Sequence, residues 1–179
     1  MPGHPRLLGL LPLLFLGWAL TTYESPWQLL WICNLCNLAM AIGLLAGSRR
    51  IIGLATLWLV LAAPLWVWDM FVQQQAYPHS FFTHLVCPGI GLVLLRGRVL
   101  PTGLWKWALG FGVLAQAASR ALTPAEFNIN VSHATYEGLG GFLSNYAVYW
   151  AMTFIAIGAA LLLVQRVLER FWLAPGRTG

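Results

Sequence analysis

Four side chains offer chemistry: Cys33, Cys36, His84 and Asp69. Both cysteines fall in CNLCN, inside the otherwise apolar stretch PWQLLWICNLCNLAMAIGLL at 26–45. Three chemistries are compatible with these types. In the first, Cys33 is a nucleophile, His84 its base, and Asp69 or an asparagine orients the ring. Cys33 at a lipid–water boundary would take an acyl group from a phospholipid and pass it to an alcohol or to water. In the second, Cys33-Asn34-Leu35-Cys36 is a CxxC for thiol–disulfide exchange with quinone. Such relays use a second cysteine pair, and only Cys87 remains. In the third, Cys33/Cys36 and His84/Cys87 form a nominal Cys₃His set. No spacing demands a metal, so neither metal nor cofactor is expected. The alternative to all three is a bundle that binds lipid or a small molecule without covalent chemistry, its cysteines packing and its asparagines joining helices.

Any such site must be positioned by membrane helices. The chain is 59% hydrophobic and 8% charged, against about 25% charged in an ordinary soluble domain. The net charge is +5, but the basic residues sit singly or in pairs between apolar runs. That pattern suits topology and membrane lipids as partners, and no nucleic acid is expected. Six apolar segments, at 7–23, 27–45, 51–71, 81–95, 104–122 and 146–168, predict an all-α bundle of six transmembrane helices in one domain. Arg6 before an apolar run resembles a signal peptide, but without a small-residue cleavage site the first segment reads as a retained helix. The fourth is short and holds Pro88, which predicts a kink or an earlier start near Tyr77.

With the N-terminus in the cytoplasm, Arg6, Arg49, Arg50, Arg96, Arg98, Lys106, Arg166, Arg170 and Arg177 are all inside, and Arg120 alone is near the other face. Both termini are therefore expected in the cytoplasm of a multi-pass inner-membrane protein. This topology brings the reactive groups to one level. Cys33 lies about 10 Å below the outer end of its helix, Asp69 within about 5 Å and His84 about 5–10 Å down. A buried charge costs about 2.5–3.5 kcal/mol at mid-bilayer, so such groups face the bundle interior. The outer loops add Glu24, His79, Asn128, Asn130, His133 and Glu137. Of these, His79 and Asn130 join Asn34 as candidates to bind or orient a substrate. Pro88 leaves the His84 carbonyl without its helical donor. The extracytoplasmic loop 122–145 carries Gly138, Gly140 and Gly141 and is flexible enough to act as a lid.

The order of WICNL, APLWVWDMF, HSFFTHLVCPG and NINVSHATYEG resembles the YwaF-like family of six-helix bacterial membrane proteins, from about Trp27 to Trp150. Its animal relatives are similar to lipid acyltransferases with a membrane Cys and His, and distantly to membrane lipid-ester hydrolases. The resemblance implies Cys33 as nucleophile and His84 as base. Asn34 stands at the family's Asp/Asn position, and Asn130 in its loop motif. Trp31 stands where the family often has His, and Ser132-His133 replaces an aromatic residue.

Overall fold

Apolar segments with no partner for their backbone close their own hydrogen bonds as helices. A computed structural model of the chain describes residues 6–73, 77–136 and 145–172. Among these it is all-helical, with six helices and no strand. A 3₁₀ turn, Arg6–Gly9, runs into α1 (Leu10–Leu20). Then follow α2 (Ile32–Ala46), α3 (Arg49–Gln73), α4 (Pro78–Leu95), α5 (Leu104–Leu122) and α6 (Tyr146–Phe171).

The bounds of α5 are those the sequence predicts; elsewhere local chemistry moves them. Pro26 opens a separate 3₁₀ turn, Pro26–Leu30, capped by the Ser25 hydroxyl, and Trp31 is extended at ψ 134°. The chain therefore enters α2 only at Ile32, five residues later than the apolar run suggests. Helix α4 takes the earlier of its two expected starts, with Pro78 in its first turn, where a missing N–H costs nothing. In place of a simple kink at Pro88, residues Phe82–Val86 form a π turn in which the Cys87 N–H donates to the Phe82 carbonyl.

Three helices among the described residues are long and apolar enough to cross a membrane: Arg49–Val72 of α3, α4 and α6. Helix α2 and the Arg6–Leu20 segment are shorter. Helix α5 has 19 residues but is diluted by Lys106, Gln116, Ser119 and Arg120.

Helix α3 is the central rod and packs against α2, α4, α5 and α6. Its Ile52, Leu57 and Leu59 are fully buried with Met40, Leu104 and Leu161. Trp58 donates its Nε1–H to the Ala108 carbonyl at 2.6 Å. The same indole lies where a Cβ on Gly112 would stand, so only glycine admits α5 this close. The outer faces are apolar: Phe71 is 76% exposed, Ile155 73% and Leu114 70%. Such extensive exposed apolar surface suits a lipid surround.

The ends differ in charge. Trp172 donates to the Leu92 carbonyl, Trp105 N–H to Gln165, and the Arg50 guanidinium covers the Trp107 ring. These contacts gather the starts of α3 and α5 with the ends of α4 and α6, and most of the arginines with them. The opposite end holds Glu24, Asp69 and Glu126, with Arg120 as the basic residue among the described positions.

Candidate functional site

The acidic end is built on asparagines. Asn128 and Asn130 take positive φ, 40° and 55°, which Asn tolerates better than most residues. Two 3₁₀ turns, Ala125–Phe127 and Ile129–Val131, bend the loop back toward α2. There the Asn130 Oδ1 accepts from the Ile32 N–H at 2.8 Å, satisfying one of the orphan donors at the start of α2. Its Nδ2 donates to the Leu30 carbonyl at 2.7 Å and the Ser119 hydroxyl at 2.9 Å. Loop carbonyls are held in turn: Gln116 donates to Asn130 and Val131, Arg120 to Ser132, and the Tyr146 hydroxyl to Val131 and Ser132. Asn130 is thus a positioning residue that fixes the helix bearing Cys33, and its amide is fully committed.

Asn34 is committed as well. Its Nδ2 donates to the Tyr23 hydroxyl at 2.6 Å and the Gln28 carbonyl at 2.8 Å. Tyr23 stands in the connection beyond the end of α1, and burial pushes its phenol up to about 12. His79 belongs to the first turn of α4 rather than to a loop, and it is buried. Its Nδ1 shares a hydrogen bond with the Thr22 hydroxyl at 3.2 Å. Tyr23 and Trp18 meet its ring edge-on, and Tyr77 stacks on it.

Cys33 is half-buried, while Cys36 and Cys87 are fully buried in the core; all three are free thiols. The Cys33 carbonyl accepts from Asn37 Nδ2 at 2.9 Å, and the buried Asn37 Oδ1 has no partner among the described residues. His84 lies in the π turn, which packs against α2. Its Nδ1 sits 3.2 Å from the Ser80 carbonyl, and its ring stacks on Trp66 at 5.0 Å with 5° between planes. Among the described residues no hydrogen bond joins His84 to Cys33 or to Asp69. No group of His, Cys, Asp and Glu there can hold a metal ion.

Beside these residues opens a cavity of about 480 Å³. Trp31 between the Pro26–Leu30 turn and α2, Trp66 and Asp69 of α3, Tyr77 and Ser80 at the start of α4, and Glu126 of the loop line it. Asp69 is exposed in this cavity, not paired with the histidine. Both Trp66 and Ser80 also touch His84, so the imidazole lies directly behind the cavity wall. Trp31, Trp66, Tyr77 and Glu126 are site residues that cysteine–histidine chemistry does not single out. The signal for them is aromatic residues beside acids near the outer helix ends, as in LWVWDMF. Glu137 and the three loop glycines lie outside the described residues.

Fold and cavity together define an all-helical protein with three helices able to cross a membrane. Compared with family models, curated proteins and solved structures, the chain matches none.

Proposed function

We propose that this is a multi-pass inner-membrane protein whose cavity holds a lipid headgroup or small amphiphile at the outer leaflet. All six helices span or line the membrane, with both termini cytoplasmic, as the charge sorting between the two ends supports. The observation that carries the binding reading is the cavity of about 480 Å³, within the roughly 300–1,000 Å³ of ligand sites. Its lining is mixed aromatic and polar, and Asn130 ties the surrounding elements together. Native mass spectrometry of the detergent-extracted chain tests it. A retained small molecule or lipid should be lost in Trp31→Ala and Trp66→Ala; retention of nothing, or retention unchanged in both variants, ends the reading. Topology is read by labelling: Glu24→Cys should react from outside, and Arg98→Cys only after permeabilisation.

A second reading keeps the cysteine–histidine chemistry implied by the YwaF-like resemblance. What favours it is the Nδ1 contact of His84 with the Ser80 carbonyl at 3.2 Å. If Nδ1 carries the hydrogen, Nε2 is the basic nitrogen, on a turn that packs against the helix of Cys33. In this reading His84 takes the Cys33 proton, and the sulfur attacks a lipid ester to form a thioester as the ester C–O bond breaks. The released alcohol takes the proton before water or a second alcohol accepts the acyl group. Asp69 orients polar groups at the mouth, and Asn34 and His79 shape it. An acyl-directed probe should then label Cys33, with labelling abolished in His84→Ala and kept in Cys36→Ser. Wild-type function in Cys33→Ser, His84→Ala returns the site to binding alone. Disulfide exchange is less favoured, because Cys36 is sealed in the core, where no exchange partner reaches it.

A further inference from the structure

Resting on the binding reading, we infer that the cavity selects an organic ammonium group, quaternary or primary, carried by an otherwise apolar or zwitterionic molecule. Its walls hold five aromatic side chains: Trp31, Phe127 and Tyr136, with Trp66 and Tyr77, each of which stacks one face on a histidine. Aromatic faces attract a large, weakly hydrated cation through the ring quadrupole. Two carboxylates, Asp69 and Glu126, open on the same space. Neither has an ion-pair partner among the described residues, where the only salt bridge joins Arg166 and Glu169. Arg120 lines a separate cavity, where it donates to the Ser132 carbonyl at 2.6 Å and lies over the Tyr146 ring.

The alternatives fit less well. An anion would meet two negative charges, and among the described residues no basic side chain lines the cavity. A divalent metal ion finds no group of three or more ligating side chains among the described residues. A neutral apolar ligand would leave both carboxylates without a role in recognition. An alkylammonium satisfies both wall types at once.

The ammonium group has two possible sources, a free solute or a phospholipid headgroup. The full chain in phosphatidylglycerol nanodiscs, which lack ammonium, is titrated with choline and followed by tryptophan fluorescence. Saturable binding is expected, and it should weaken about tenfold in Asp69→Asn, Glu126→Gln and in Trp66→Leu. Asp69→Glu should keep it, which separates lost charge from lost folding. In phosphatidylcholine nanodiscs, a lipid headgroup as the occupant would abolish the choline response, whereas a free solute would leave it intact; either result supports the ammonium site. The neutral tert-butyl isostere of choline distinguishes the two layers of the proposal. If it binds as well as choline, or if the double carboxylate variant binds choline normally, the ammonium inference is overturned while the cavity remains a binding site. If neither compound binds and phosphatidylcholine changes nothing, both readings fall.

Discussion

The two ends of the bundle are closed by opposite means. At the basic end the connections are short. Gly47, at φ 66°, turns α2 into α3 while Ser48 N–H reaches the Gly43 carbonyl at 2.8 Å. Arginines there lie over tryptophans: Arg96 over Trp172 and Arg50 over Trp107, each within 6 Å of the ring centroid. At the acidic end the loop after α5 is long, and side-chain amides replace turn geometry. Asn34, Asn128 and Asn130 between them satisfy backbone groups from several segments. Short glycine turns let the rods pack to contact, whereas amide side chains tie the long loop to the start of α2 beside the cavity. Polarity at the acidic end therefore lies beside a hollow, and polarity at the basic end is the charge on which the proposed orientation rests.

The sharpest way to break this contrast is Asn130→Ala. It leaves the Ile32 N–H and the Leu30 carbonyl without their side-chain partner, while the Ser119 hydroxyl loses a donor but still donates to the Ala115 carbonyl at 2.9 Å. Each buried group left unsatisfied costs about 1–3 kcal/mol, and a left-handed alanine adds about 1–2 kcal/mol. Thermal unfolding in detergent should show the largest loss of any single change discussed for either end, with ligand retention lost alongside. Asn130→Gly keeps the backbone conformation and removes only the hydrogen bonds, so it should recover part of that loss. An unchanged midpoint in both variants would mean the loop is not what sets α2.

A smaller effect is expected at Tyr23, where pH is the probe. Burial raises this phenol from its model-peptide value of 10.0 to about 12. Above pH 10 the unfolded chain releases the proton while the folded chain keeps it. Stability carried by neutral Tyr23 is thus complete below pH 10 and is lost as pH climbs toward about 12. Tyr23→Phe removes the acceptor at 2.6 Å from Asn34 Nδ2, which costs about 1 kcal/mol near neutrality, and it should flatten the alkaline part of the stability curve. A variant curve parallel to the wild type through that window would place the phenol in water.

Much of the rod framework is legible in the sequence, because apolar runs in a nearly uncharged chain leave the backbone few choices. The limits of α5 and the early start of α4 follow from it. The delayed start of α2 does not follow from hydropathy. Pro26 and Ser25 favour a separate turn, and a count of apolar residues ignores both. The π turn at Phe82–Val86 is hinted at by Pro88 but not fixed by it. The cavity is the least legible feature. The loop that lines it is tied to α2 by the Asn130–Ile32 hydrogen bond across 98 positions, and no local pattern encodes a pairing at that separation. Grouping Cys33, His84 and Asp69 by depth puts them at the end of the molecule that bears the cavity. Depth leaves rotation about each helix open, and rotation sends His84 to Trp66 and Asp69 into the cavity.

The smallest effect belongs to the basic end and sharpens the contrast from the other side. Arg96 covers the Trp172 ring at 5.3 Å, and Trp172 independently donates to the Leu92 carbonyl at 2.6 Å and accepts from the Gly97 N–H at 3.2 Å. Removing the guanidinium deletes one of three ties and leaves no buried group unsatisfied. An exposed cation–π contact contributes about 0.5–1 kcal/mol, so Arg96→Ala should lower the unfolding midpoint only slightly and leave ligand retention unchanged. Its larger consequence should appear in topology, since it removes one positive charge from the end proposed to face the cytoplasm. Arg96→Glu, Arg98→Glu should therefore raise the fraction of misoriented chains in a labelling assay far more than it lowers stability. A loss of stability at Arg96→Ala comparable to that of Asn130→Ala would mean that both ends are held by the same kind of structural tie, and the division of labour between them would fail.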